Sequence, residues 1–384
     1  MSSPRVEVKP AVLQWAVERA GERSEYLHRT FPHLAEWIEG QARPTFKQLE
    51  AFARAAYVPF GYLFLPEPPE EKLPIPDFRT LLPGRQRRPS PDLLETIYIM
   101  QRRQDWLREE RMECEADPLD FVRSAKLSDD PAAIGREMRR TVGLADGWAE
   151  PITTWEAAVG ELRRLIEELG VIAVINGIVG NNTHRPLSVE EFRGFALCDD
   201  YAPVIFVNGA DAKSAQMFTL AHELAHLWLG RSALTDAGIQ TSPTSDVEKW
   251  CDQAAAEFLV PEKDLRTIWR EIRSVSSPFH VVAKKFKVSP IVAGRRAKDL
   301  GLVDAAEFFE FYESYTQQER RKKESAGGGD FYRNQNNRVG EVFARSVMLA
   351  ALDGRLSFKE AYSLTGLNGG AFQAYAARLG VKLP

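Results

Sequence analysis

Two histidines and a glutamate stand at a spacing that metal chemistry uses. His222-Glu223-Leu224-Ala225-His226 reads HExxH. On a helix, His222 and His226 fall one turn apart on the same face, so both imidazoles reach one cation. Glu223 sits beside them without being a ligand, placed to take a proton from water. A catalytic zinc takes three protein ligands and keeps a further position open. The chain has six histidines, and His28, His33, His184 and His280 are isolated from this group in sequence. His280, downstream, is a weaker candidate for a transition-state donor. The third ligand is therefore sought among carboxylates. Glu248 and Asp252 are four apart and point the same way from one helix. Glu248 is assigned as third ligand, with Asp252 accepting a hydrogen bond from a ligand imidazole. Asp236, Asp246 and Glu257 compete for the ligand role. Ser245-x-x-Glu248 is also a capping box, which accounts for Glu248 without metal. HExxH itself can arise on the solvent face of an amphipathic helix with no metal at all.

The elements that position these groups can be read outward from the motif. Met217, Phe218, Leu220, Leu224, Leu227 and Trp228 give the motif helix its apolar packing over 213–229, with Gly230 ending it. A second helix spans 245–260 and stops at Pro261. Upstream, a helix over 155–169 ends at Gly170, and three strands follow at 171–175, 195–198 and 204–207. The last begins after Pro203, which an edge strand tolerates. Such a strand can pair with an extended peptide, which makes Phe206, Val207 and Asn208 candidate substrate-binding residues. A plain core strand is the alternative. Residues 278–310 read as helical, Glu319 to Gly329 as a flexible loop, and helices resume from about 338.

The N-terminal 65 residues read as several short helices joined by tight turns, a helix-turn-helix-like arrangement. Five prolines within 66–76 then mark an extended linker. Ser90-Pro91-Asp92 starts a long helix, whose Arg102, Arg103, Arg108 and Arg111 alternate with acids like a solvated face. The predicted fold is α+β and mostly helical. Its parts are a helix-turn-helix-like domain at 1–65, a linker at 66–90, a metal-bearing domain at 91–310 with its core at 155–305, and a helical region at 311–384. Among 384 residues, 50 Lys+Arg against 54 Asp+Glu give a net charge of −4, which excludes a bulk nucleic-acid coat. Three cysteines, Cys114, Cys198 and Cys251, form no CxxC pair, so a disulfide framework is not expected. No apolar run approaches the ~18–20 residues of a membrane helix, and no signal peptide is evident, which points to a cytoplasmic protein without membrane contact.

The phrase Phe218-Thr219-Leu220-Ala221 ahead of HExxH, then Glu248, then Ala255-Ala256-Glu257-Phe258-Leu259-Val260-Pro261, resembles the ImmA/IrrE family of zinc metallo-endopeptidases. The resemblance implies a zincin-like, gluzincin-like domain holding Zn2+ on His222, His226 and Glu248, with Glu223 as general base. The family usually has Asn where this chain has Asp252. Trp37-Ile38-Glu39-Gly40 and Pro44-Thr45-Phe46-Lys47-Gln48-Leu49 resemble the phage-repressor type of helix-turn-helix. Leu63-Phe64-Leu65-Pro66-Glu67-Pro68-Pro69 and Asp77-Phe78-Arg79 resemble long members that fuse that unit to the peptidase, as does Gly327-Gly328-Gly329-Asp330-Phe331-Tyr332. The implied activity is limited cutting of a repressor or antitoxin-like protein in stress, phage or mobile-element control. The competing expectation is a transcription regulator or antitoxin-like binder whose metal domain senses or stabilises. Residues 1–65 would supply its DNA contact, although residues 1–64 hold eight Lys/Arg against seven Asp/Glu and the short third helix carries Glu36 and Glu39 with no base-reading Arg, Asn or Gln before Gln41. A protein-interaction or dimer role is the alternative for the same unit.

Overall fold

A computed structural model of the chain describes residues 4–76, 89–235, 245–322 and 336–382. Asp236, the Asp77–Arg79 phrase and the 327–332 glycine-rich segment lie outside them. The chain divides into two compact units, Met1–Pro74 with Leu81–Tyr98, and Ile75–Thr80 with Ile99–Pro384.

The first unit holds α1 (Pro10–Arg19), α2 (Ser24–Thr30), α3 (Leu34–Ile38), α4 (Phe46–Ala55) and a 3-10 turn at Phe60–Phe64. Leu13, Leu27, Leu34, Leu49 and Phe52 are fully buried and form its core. Thr45 starts α4 with a reciprocal cap. Its hydroxyl accepts from the Gln48 N–H at 3.3 Å, and its own N–H donates to Gln48 Oε1 at 2.8 Å. The next helix, α5 (Pro91–Glu113), is capped by Ser90, whose Oγ accepts from the Leu93 N–H at 3.1 Å.

In the second unit, α6 (Pro131–Val142) and α7 (Trp155–Glu168) precede a mixed sheet. The strands are β1 (Ile172–Asn176), β2 (Gly194–Leu197), β3 (Val204–Asn208) and β4 (Ala233–Thr235), in the order β1-β3-β2-β4. β1 runs parallel to β3, and β2 runs antiparallel to both β3 and β4. Between β3 and β4 comes α8 (Lys213–Trp228), which carries HExxH. One face of the sheet, with Ala173, Ile175, Ala196, Ile205 and Val207, joins Leu162, Leu220 and Leu224 in a single core with α7 and α8. On the other face Phe195 stacks on Phe206 at 5.0 Å.

The helix bearing the candidate third ligand is α9 (Asp246–Leu259), followed by α10 (Glu262–Ile272), α11 (Pro278–Phe286), α12 (Pro290–Asp299) and α13 (Ala305–Lys322). Ser245 Oγ accepts from the Glu248 N–H at 3.2 Å and starts α9. α6 packs directly on α9 because Gly135 lacks a side chain. A Cβ there would stand 2.6 Å from the Ala254 carbonyl oxygen. The C-terminal helices are α14 (Glu341–Leu352), α15 (Phe358–Thr365) and α16 (Gly369–Arg378).

Three expectations change here. β3 is an interior strand paired on both sides, so it offers no free edge to a peptide. The arginines of α5 are not all a solvated face. Arg103 is 4% exposed and donates to the Leu364 and Arg338 carbonyls, both at 2.9 Å, and Arg111 donates to the Gly170 carbonyl at 2.9 Å. These side chains satisfy carbonyls at the ends of other segments, a use that charge alternation along α5 does not reveal. The polar stretch after Glu319 also remains helical to Lys322 before leaving the described residues.

Candidate metal centre

The candidate ligand side chains converge. His222 Nε2 lies 3.1 Å from Glu248 Oε2 and 3.1 Å from His226 Nε2, and His226 Nε2 lies 3.2 Å from Glu248 Oε1. All three residues are buried. Among the described residues this is the one cluster of His, Cys, Asp or Glu with ligand atoms mutually within 4.8 Å. Ligand atoms about 2.0–2.1 Å from zinc at tetrahedral angles stand roughly 3.3 Å apart, close to the separations found here.

Hydrogen bonding supports the same fit. His222 Nδ1 lies 3.0 Å from Asp252 Oδ1, so a neutral His222 donates there and turns the lone pair of Nε2 inward. That lone pair then faces a carboxylate oxygen and a second imidazole. Three acceptors converging in a buried space need a cation between them. Without one, the group can only share protons. Burial depresses the His222 pKa, but its hydrogen bonds to Asp252 and Glu248 outweigh that and raise it well above the ordinary value. For Glu248, burial pushes upward, and bonds to His222 and His226 win and hold it far below the usual carboxylate range. His226 is lowered, burial being the main cause. Protons distributed this way are what a divalent ion would displace.

Glu223 is fully buried, and among the described residues neither of its carboxylate oxygens has a hydrogen-bond partner at good geometry, although the Thr235 hydroxyl is near enough to lower its pKa. Burial raises its pKa to about 8, with His222 opposing. An orphaned carboxylate beside a ligand cluster is expected of a group that handles a proton in turnover rather than one that holds the fold together. Thr235 of β4 lies beside it. The helix approaches the sheet closely enough for this because β2 begins with Gly194. A Cβ on Gly194 would fall 2.6 Å from Thr219 Cγ2 and 3.0 Å from Glu223 Oε1.

Two of the competitors for the ligand role, Asp246 and Glu257, are placed away from the cluster. The Asp246 side chain is 83% exposed and pairs with Lys249. Glu257 is buried but pairs with Arg296 and Arg136. Asp236 is outside the described residues. Cys251 is buried on the same helix as Glu248, and its thiol is not among the mutually close ligand atoms. His280 is exposed and packs on Phe311 and Tyr315 of α13, not on the ligand cluster.

Phe206, Val207 and Asn208 are all buried within the sheet. The Asn208 side chain donates to the Phe192 carbonyl at 3.1 Å and accepts from the Ala210 N–H at 3.1 Å. The backbone of β3 is already paired on both sides, so these residues offer no strand edge to a peptide. The strand edge beside Glu223 belongs to β4, whose middle residue Leu234 turns its N–H away from β2. That N–H donates to the Pro76 carbonyl at 3.2 Å, and Ile75 is buried.

Residues 183–298 match the IrrE N-terminal-like domain. That region contains His222, Glu223, His226, Glu248 and Asp252, and the match supports a metallopeptidase of the ImmA/IrrE type. The IrrE-like region runs from ahead of β2 into α12 and so includes both helices that bear the ligand cluster. Residues 339–378 match a domain of unknown function, DUF8813, which spans α14 to α16. No curated protein matches the chain.

Sequence reasoning did not find Gly194, Thr235 or Arg295. Arg295 Nη2 lies 3.0 Å from Asp252 Oδ2. None of the three sits at a recognisable spacing from HExxH. The nearest signal was Gly194 opening a run of apolar strand residues.

Proposed function

We propose that the chain is a zinc-dependent endopeptidase of the zincin type, gluzincin-like in taking Glu248 as its third ligand. The observation that carries this reading is the convergence of His222, His226 and Glu248 beside the unpartnered, buried Glu223. Zn2+ held there would supply Lewis acidity toward a carbonyl oxygen and toward water. Glu223 accepts a proton from the attacking water and passes it to the departing amine. Asp252 holds His222 in the tautomer that presents Nε2. A substrate strand is placed along β4, where Leu234 offers an outward N–H once the Pro76 carbonyl leaves it.

The substrate in this reading is a folded regulatory protein, a repressor or antitoxin, cut at few sites in stress, phage or mobile-element control. Its setting is the cytoplasm, and no described helix is long and apolar enough to cross a membrane. The first unit would act as a helix-turn-helix-like module. Glu36 pairs with His33 on α3 and Glu39 accepts from Gln41, which favours a protein partner over DNA phosphates. Replacing Glu223 by Gln tests the mechanism. Zinc should remain bound while cleavage of the partner falls by roughly 10²–10⁴-fold. Retained cleavage by that variant would overturn the role of Glu223.

A further inference from the structure

We propose that Arg295 is a positioning residue for the metal centre, acting through Asp252 on His222; the proposal rests on the zinc reading of that site. Asp252 divides its two oxygens between the partners. Oδ1 takes the His222 Nδ1–H at 3.0 Å, and Oδ2 takes the Arg295 guanidinium at 3.0 Å. The three groups come from three helices, α8, α9 and α12. The carboxylate of Asp252 is 19% exposed, so without a second anchor it would exchange its histidine for water and rotate. The guanidinium is a second anchor on the oxygen opposite the histidine, and its rigid fork holds a carboxylate oxygen in place better than a hydrated, freely rotating ammonium does. Fixing Asp252 fixes the His222 ring, and the ring decides whether Nε2 points at His226 and Glu248.

The neighbouring arginine shows why this is not merely helix packing. Arg296 already ties α12 to the end of α9, through the Val260 carbonyl at 3.1 Å and the Glu257 carboxylate. Arg296 is buried, whereas the Arg295 side chain is 26% exposed. Helix docking therefore has an anchor other than Arg295, and among the described residues the ion pair of Arg295 is the one to Asp252.

Arg295 is a cation near a site for a dication, so as a bare charge it would weaken metal binding. As a positioning residue it strengthens binding. The full-length chain and its Arg295→Ala, Arg295→Lys, Asp252→Asn and doubly altered Asp252→Asn/Arg295→Ala forms would be titrated with zinc against a competing chelator, with the melting temperature of the metal-free proteins alongside. Arg295→Ala is expected to weaken zinc binding about 10–100-fold at an unchanged metal-free melting temperature. Arg295→Lys should recover part of that loss. In the Asp252→Asn background, removing Arg295 should cost no more. Unchanged or tighter zinc binding by Arg295→Ala would overturn the proposal, as would a full additional loss in the double variant. If Arg295→Ala does not fold, weaker binding by Asp252→Asn with no further change on Arg295→Lys decides for it, and additive losses decide against it. Absence of zinc binding by the unaltered chain would remove the metal reading itself, and this inference with it.

Discussion

Gly194 lies against Glu223: a Cβ on the glycine would stand 3.0 Å from the carboxylate oxygen Oε1 and 2.9 Å from the Phe206 carbonyl oxygen. The first residue of β2 thus sets how near the motif helix comes to the sheet. Gly194→Ala is expected to push Thr219 and Glu223 aside and to destabilise the fold by about 1–3 kcal/mol. Turnover should fall more than stability accounts for, by about tenfold or more, set against the roughly 10²–10⁴ that a general base contributes. Urea unfolding together with cleavage rates at a temperature where both proteins are folded checks this. A variant as active as the unaltered chain would show that the close approach does not matter to Glu223.

Glu167 on α7 is 2% exposed, and burial raises its pKa to about 8, with Arg163 on the same helix opposing and Glu341 of α14 adding to the rise. Tyr375 of α16 also faces this group. A carboxyl raised above its unfolded value of 4.5 holds its proton better when folded. Its contribution to stability is therefore complete below 4.5 and is lost as pH rises through about 8. Melting temperature should fall between those limits, and Glu167→Gln should flatten that fall. An identical pH profile for the two proteins would place the titrating group elsewhere.

The edge of β4 gives a third prediction. Leu234 donates outward to Pro76, and a peptide pairing there must displace Ile75 and Pro76. Prolines carry no N–H, so this stretch can accept from the edge but not complete a ladder with it. Ile75→Asp weakens its burial and is expected to lower KM for a protein substrate several-fold with kcat little changed. Steady-state kinetics of the full chain decides it, and a raised KM would mean that Ile75 assists substrate binding instead.

Parts of this architecture were legible because they rest on local chemistry. Thr45 with Gln48 and Ser245 with Glu248 cap helices where their side chains predict, and HExxH falls on a buried helix. Capping by Ser245 and a ligand role for Glu248 are compatible, since the cap uses the backbone N–H and leaves the carboxylate to face the histidines. What stayed hidden depends on strand order and on contacts distant in sequence. Pro203 suggested an edge, yet β2 turns back and pairs with β3, which leaves β4 outermost. Ala233-Leu234-Thr235 is too short to show alternation. Arg103 looks like any exposed helix charge until its distant carbonyl partners are known, and Arg295 reaches Asp252 only once α12 lies beside α9.

The central claim is that His222, His226 and Glu248 hold one zinc ion. Metal content of the purified full-length chain by elemental mass spectrometry, measured beside Glu248→Ala, tests it most directly. About one zinc per chain, lost or much weakened in the variant, is the result expected of a three-ligand site. No zinc in the unaltered chain, and none taken up on addition, would contradict it.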